Sequence, residues 1–271
     1  MTDFFQVSKT GIYILMKKYI HDFRVQNILH LNDAYFVLWL VCPEKLPEIL
    51  PGQFAEVLVP NSITTYLRRP FSIYDADYER NTLALLIKKV GNGTLALSRL
   101  KEGDQLNLVY PLGNSFSLRV GEKALLVGGG VGIAPILLHA KRLSQLGFRP
   151  DILIGGRTKN DILEPEKYAP FGNVFIATDD GSLGEKGMVT QHLLFAGEIR
   201  NYTSVYACGP DAMMKAVANL AAKFNIPCEI SLEHTMACGI GACLCCVVET
   251  VEGNKTTCIE GPVFDTRKLK M

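Results

Sequence analysis

The sequence lacks an excess of charge of either sign: 28 Lys and Arg stand against 27 Asp and Glu, a formal charge of +1. A near-neutral chain gives no electrostatic reason to expect nucleic acid or an anionic membrane as its main partner. It also lacks any run approaching the roughly 18 apolar residues that a membrane helix needs. The N-terminus lacks the order of a secretory signal, because the apolar run from Gly11 to Met16 is short and Lys17 and Lys18 follow it. These absences lead to the expectation of a cytoplasmic protein with no nucleic-acid and no membrane partner. Internal repeats and low-complexity tracts are absent too. At roughly 150 residues per domain, 271 residues predict about two domains, or three small ones. Apolar residues make up 48% and charged residues 20%, enough to build a core and to exclude wholesale disorder.

Cysteine is scarce for a disulfide scaffold: eight in 271 residues, about 3%, against roughly 8–10% in such chains. Its placement is uneven. Cys42, Cys208 and Cys228 are scattered, while Cys238, Cys243, Cys245, Cys246 and Cys258 fall within 21 residues. In a reducing compartment such a cluster points to a metal or redox site. Cys238-x4-Cys243-x2-Cys246, with Cys258 after eleven more residues, is the plant-type ligand spacing for a [2Fe–2S] cluster. Gly239, Gly241 and Ala242 allow the loop to wrap a small inorganic core closely. A structural zinc site also uses four thiolates, but usually shows a second C-x2–4-C knuckle, which is missing here. Cys245 does not fit the spacing and reads as a filler or spare thiol. The five histidines show no ligand spacing; His234 beside the cysteines reads as a surface or outer-sphere residue.

Along the chain, residues 1–18 show no pattern and read as an N-terminal extension. Residues 19–118 have a β texture, with apolar runs at Tyr35 to Cys42, Phe54 to Val59, Thr82 to Val90 and Gln105 to Tyr110 broken by turn residues, which predicts a small sandwich or barrel. In residues 119–226 strands alternate with helical patterns: Lys123 to Val127, a helix from Ala134 to Leu146, strands at Asp151 to Ile154, Val174 to Ala177 and Ser204 to Cys208, and helices at Met188 to Phe195 and Asp211 to Phe224. That alternation predicts a parallel α/β sheet. Residues 227–271 hold the cysteine segment.

Gly128-Gly129-Gly130-Val131-Gly132-Ile133-Ala134-Pro135 follows a strand and opens a helix, so backbone N–H groups can face a phosphate. Pro135 fits the first helical turn. The loop departs from the regular dinucleotide fingerprint, since Pro135 stands where the third glycine belongs. Arg69-Pro70-Phe71-Ser72 supplies a planar guanidinium suited to a pyrophosphate and a hydroxyl suited to a ring nitrogen. Gly91-Asn92-Gly93-Thr94 precedes a short helical run, Leu95 to Leu100, and offers further donors. Singly, each of these segments also reads as an ordinary turn. Asp179 and Asp180 read as a solvated turn before Gly181.

Taken in order, Arg69 to Ser72, Gly91 to Thr94, Gly128 to Pro135 and Cys208-Gly209-Pro210 resemble the ferredoxin–NADP reductase superfamily. With Met236 to Cys246, Cys258 to Phe264 and Thr178 to Ser182 added, the chain from about Lys18 to Phe264 resembles the electron-transfer subunits of NAD-linked dihydroorotate dehydrogenase. The resemblance implies an antiparallel β-barrel holding FAD, an α/β nucleotide domain and a small C-terminal [2Fe–2S] domain. It places Arg69, Pro70, Phe71 and Ser72, with Leu86, Ile87, Lys88, Gly93 and Thr94, around FAD. Gly128, Gly129, Gly130, Gly132 and Pro135, with Gly209 and Pro210, would line the NAD(H) site, with Cys208 near the point of hydride transfer. Cys238, Cys243, Cys246 and Cys258 would hold the cluster. The implied partner is an FMN-containing catalytic subunit, in a heterotetramer of two plus two, sending electrons through [2Fe–2S] and FAD to NAD+. Two alternatives stay open: a related subunit of an NADPH-dependent ferredoxin reductase or sulfide dehydrogenase, with Arg157 and Lys159 meeting a 2′-phosphate, and a zinc-stabilised, non-enzymatic binding module.

Overall fold

The computed structural model describes residues 6–8, 11–13, 17–60, 62, 64–118 and 123–271. The expected extension, 1–18, falls mostly outside them; its described part is an antiparallel hairpin of β1 (Gln6–Ser8) and β2 (Gly11–Tyr13). Six antiparallel strands then close a barrel: β3 (Tyr19–His30), β4 (Tyr35–Val41), β5 (Phe54–Val57), β6 (Arg69–Asp77), β7 (Thr82–Lys88) and β8 (Gln105–Leu112), in the order β3-β4-β7-β6-β5-β8. Closure leaves no free sheet edge. The short helix α1 (Asn92–Leu97) spans β7 and β8 and begins earlier than the pattern from Leu95 indicated. Strand β3 carried no sequence signal, because only Phe23 and Val25 of its twelve residues are fully buried.

The barrel strands β5 and β7 are buried on both faces, which explains their unbroken apolar texture. In β7, Leu83, Leu85 and Ile87 point into the barrel, while Ala84 and Leu86 join a second core shared with the nucleotide sheet.

That sheet contains β9 (Ala124–Gly129), β10 (Asp151–Gly156), β11 (Asn173–Thr178), β12 (Glu185–Lys186), β13 (Ser204–Cys208), β14 (Cys228–Ser231) and, at its edge, β17 (Val263–Asp265). The order is β12-β11-β10-β9-β13-β14-β17, with every pairing parallel except β14 to β17. Helices α2 (Ala134–Gln145) and α4 (Asp211–Lys223) make the long crossovers. The helix expected from Met188 to Phe195 is not continuous. A 3-10 turn at Val189–Gln191 stops at His192, whose backbone is extended and whose Nδ1 caps the four-residue α3 (Leu193–Ala196) by accepting from the Leu194 N–H. The segment 227–271, expected to stand apart, lends β14 and β17 to the nucleotide sheet. Between them the cysteine loop leads into the hairpin of β15 (Val247–Thr250) and β16 (Gly253–Thr256). No helix among the described residues is long and apolar enough to cross a membrane.

Barrel and sheet meet along α2. Lys141 Nζ lies 2.6 Å from Asp75 Oδ1 of β6, Tyr35 donates to Asp161 at 2.8 Å, and Tyr74 donates to Glu164 at 2.9 Å. Deep in the same contact, His139 of α2 meets Tyr206 edge-on and Phe116 at a tilt, with ring centroids 4.4 and 5.1 Å away, and among the described residues neither ring nitrogen has a hydrogen-bond partner. Burial lowers its pKa from about 6.5 to about 3. Between those values the unfolded chain binds a proton that the folded chain refuses, so stability falls as pH falls below about 6.5. Replacing His139 with Leu is expected to remove much of that acid slope in urea unfolding measured from pH 7 to pH 4.

Candidate functional site

The parallel sheet reverses its winding between β9 and β13, and a cleft of about 660 Å³ opens at the carboxyl ends of its strands. Gly129 and Gly130, Gly156 and Arg157, Asp179, and Gly209 line it, each at or just beyond a strand end. The glycines do different work. Gly129 and Gly130 face the cleft, whereas Gly128 is backed by Ile133 and Gly132 by the neighbouring motif. A Cβ on Gly132 would lie 2.5 Å from Gly209 Cα and 2.6 Å from the Cys208 carbonyl carbon and oxygen. This close approach joins the two motifs that the sequence showed as separate. Pro135 is buried in the first turn of α2, away from the cleft.

Cys208 ends β13 opposite Gly128 and is buried, and it is not among the cleft-lining residues. Burial, then the nearby Glu233, push its thiol far above the usual range, outweighing the Ser231 hydroxyl and the Gly209 N–H. It stays a neutral thiol at any working pH. Gly209 and Pro210, one and two residues on, reach the cleft surface.

On the barrel, the Arg69 guanidinium makes, among the described residues, only long contacts, to the carbonyls of Leu67 (3.4 Å) and Arg68 (3.3 Å), and so is available to an anion. Its neighbour Arg68 is occupied by the backbone, donating to the carbonyls of Glu56 and Asn107 and to the Asn107 side chain. Pro70, Phe71 and Ser72 pair with Glu56, Ala55 and Phe54 of β5. Leu86 and Ile87 are fully packed into the two cores, so only their backbone can meet a ligand. Lys88 lines the cleft, with its ammonium 5.3 Å from the Tyr35 ring centre. Gly93 is packed against Thr65 and Val59, and the Thr94 hydroxyl serves its own turn, accepting from the Val90 and Gly91 N–H groups.

The cysteines form two pairs. Cys238 and Cys243 are within hydrogen-bonding reach of each other, as are Cys246 and Cys258. Among the described residues no three metal-binding side chains converge on a single point. Two pairs of thiols suit a two-iron core. Cys246 and Cys258 are buried against Phe54, Val109, Leu112 and Met236, while Cys243 and Cys245 are exposed. Burial acts to raise the Cys238 thiol, but N–H donors from Ile240, Cys243 and Ala242 outweigh it and bring it down to about 6. Those amides point at a sulfur that must be anionic to bind metal. Burial and the Cys246 neighbour push Cys258 up to about 12. His234 is exposed.

Several cleft residues escaped the sequence reading. Tyr35 and Asp161 form one wall, and Asp179 faces the cleft from the end of β11. Both carboxylates are exposed, as expected of a solvated turn; Asp180 accepts a hydrogen bond from the Ser182 hydroxyl, whereas Asp179 borders the cleft. The available signal for Asp179 was positional: ligands gather at the carboxyl ends of parallel strands. Arg157 lines the cleft, but Lys159 does not.

Gly132→Ala forces the two motifs apart and is expected to destabilise the chain by about 1–3 kcal/mol in urea, with weakened NADH binding in a fluorescence titration. Cys208 remains neutral, so the rate of flavin reduction by NADH in stopped-flow is expected to show no inflection from a thiol between pH 6 and 9.

Residues 233–270 match the family described as the iron-sulfur cluster binding domain of dihydroorotate dehydrogenase B, and residues 126–219 match the oxidoreductase NAD-binding domain. The chain is 39% identical over 251 residues to the electron transfer subunit of dihydroorotate dehydrogenase B (NAD(+)) from Desulforamulus reducens, covering 90% of this chain and 96% of that one. The subunit of the same description from Clostridium acetobutylicum is 41% identical over 219 residues, 80% of this chain and 85% of that one. Among solved structures, an NADH-dependent reduced ferredoxin-NADP oxidoreductase superposes with a TM-score of 0.83 at 31% identity, over 92% of this chain and 89% of that chain. A ferredoxin NADP+ reductase from Neisseria gonorrhoeae with bound FAD and NADP shares the fold, with a TM-score of 0.63 at 16% identity over 77% of this chain and 92% of that one.

Proposed function

Because this chain belongs to the family of electron transfer subunits of dihydroorotate dehydrogenase B (NAD(+)), we propose that its three sites form one relay to NAD+ from an FMN-containing catalytic subunit. The chain is an oxidoreductase component that works with FAD, an iron–sulfur cluster and NAD(H), in pyrimidine biosynthesis. When bound, the flavin exchanges two electrons with the nicotinamide and single electrons with the cluster.

The contact that carries this reading is the packing of Phe54, Val109 and Leu112 around Cys246 and Cys258. Phe54 pairs with Ser72, so the cysteine loop rests on the same strands that present Arg69 to Ser72. The cleft lies beyond, reached through Lys88 at the end of β7. We assign Cys238, Cys243, Cys246 and Cys258 as cluster ligands. Arg69 holds the flavin pyrophosphate, and Pro70, Phe71 and Ser72 form the flavin's bed. The backbone of Leu86, Ile87 and Gly93 completes that site, while Thr94 shapes its turn. Gly129, Gly130, Gly209 and Pro210 contact the nicotinamide nucleotide, with Gly128, Gly132 and Pro135 fixing their positions. Cys208 backs the hydride-transfer position as a neutral, packed thiol.

Asp179 accepts hydrogen bonds from the ribose hydroxyls and repels a 2′-phosphate, favouring NAD(H) although Arg157 is nearby. The exposed Cys243, Leu244 and Cys245 face the catalytic subunit. The assembly is a heterotetramer of two plus two in the cytoplasm, where reducing conditions keep thiols free.

Cys243→Ser is expected to abolish electron flow from dihydroorotate to NAD+ in the assembled enzyme while leaving NADH oxidation by artificial acceptors intact. Undiminished transfer from dihydroorotate in a cluster-free variant would sink the relay order. In Asp179→Asn, the ratio of kcat/KM for NADPH over NADH should rise by roughly tenfold or more, since like-charge repulsion is worth at least about 1.4 kcal/mol.

A further inference from the structure

Among the described residues Glu56 is the only carboxyl whose two oxygens are both buried without a hydrogen-bond partner. Its residue is 0% exposed. A buried polar group left unpaired costs roughly 1–3 kcal/mol, more if charged, so such a group implies a partner outside the chain. The described residues around it supply none. Across the ladder Glu56 faces Pro70, which has no N–H to give. Arg68 directs its guanidinium to backbone carbonyls and to Asn107.

What the carboxyl does face is the cysteine loop. Along β5, Ala55 and Val57 enter the barrel core, while Phe54 and Glu56 take the other face, where Phe54 packs on Cys246 and Cys258. Gly239, directly after Cys238, lies over Glu56: a Cβ there would stand 2.7 Å from Glu56 Cγ and 3.3 Å from Oε1. Gly239 also has a φ of +67°. Backbone conformation and close approach together demand glycine, and the loop is thereby drawn down onto the carboxyl.

We propose that Glu56, as a neutral carboxylic acid, donates a hydrogen bond to a sulfur of the iron–sulfur cluster on its Cys238 side, tuning the cluster's potential and seating the loop on the barrel. The proposal rests on the assignment of the four cysteines as cluster ligands. Among the described residues no donor or ion pair reaches the carboxyl, and burial without one disfavours the anion; the nearby Arg68 guanidinium opposes this but is itself held by the Glu56 and Asn107 carbonyls. Hydrogen bonds to cluster sulfur favour the reduced state and raise the potential. The acid therefore makes the cluster a better acceptor of the incoming electron.

The test is an EPR-monitored redox titration of the full-length chain, loaded with cluster and FAD under anaerobic conditions, as wild type, Glu56→Gln and Glu56→Leu. Iron and acid-labile sulfide are measured first. Their absence from the wild type would overturn the ligand assignment itself, apart from any role of Glu56. Gln keeps a donor and should leave the cluster midpoint unchanged. Leu should lower the equilibrium constant for one-electron uptake about tenfold, which is 59 mV for one electron, and change the EPR line shape, with the flavin midpoint unmoved. The apo form of Glu56→Leu should melt no lower than wild-type apo protein, since it loses an unpaired buried polar group. A wild-type midpoint in the Leu variant would overturn the proposal. So would an upward shift in both variants, the mark of an anion, or a shift confined to the flavin.

Discussion

The two-faced burial of β5 is the constraint on which the rest of the molecule depends. Ala55 and Val57 are locked into the barrel interior, and with a period of two their neighbours Phe54 and Glu56 must face outward. Phe54 then forms the floor on which Cys246 and Cys258 rest, and Glu56 lies under Gly239. Since β5 pairs residue by residue with Arg69 to Ser72, the cysteine loop and that segment of β6 share one register. A one-residue slip in β5 would turn both outward residues into the barrel and leave the loop without a seat. The seat of the cysteine loop is thus set by ordinary strand alternation.

A second contact of the same kind sets the nucleotide side. Gly132 and Gly209 bring the ends of β9 and β13 to within the space of a missing methyl group at the point where the sheet reverses its winding. The opening created there is lined by Asp179 and Arg157 from the sheet and by Lys88 and Tyr35 from the barrel. Lys141 with Asp75, and Tyr74 with Glu164, tie barrel to sheet, so the cleft wall contributed by the barrel does not drift from the wall contributed by the sheet.

Much of this architecture was legible in the residues, and the failures have physical causes. The cysteine spacing and the strand–glycine–helix order are local signals, and local signals survive without knowledge of the fold. Strand β3 did not show because most of its twelve residues face solvent and carry no hydrophobic period. The apolar pattern from Met188 to Phe195 suggested a helix, but the extended backbone at His192 breaks it into two short turns. The strands β14 and β17 join a sheet whose other members lie far away in sequence, and pairing of that kind leaves little trace in composition. Site residues divide along the same line. Gly129 and Gly130, read from a contiguous motif, do lie on the cleft. Asp179 and Tyr35 become cleft residues only once distant strand ends are brought together. Thr94 and Gly128 belong to recognisable motifs, yet their groups serve the turn and the packing.

The central claim, that one chain joins a nicotinamide site to a single-electron carrier through a flavin, is tested most directly by absorbance. The chain would be purified without oxygen and its spectrum recorded before and after NADH, with NADPH as control. Flavin and iron–sulfur bands that both bleach with NADH, and much more slowly with NADPH, are the expected result. A colourless protein containing zinc and no iron, or a flavin that bleaches while the cluster bands stay unchanged, would contradict it.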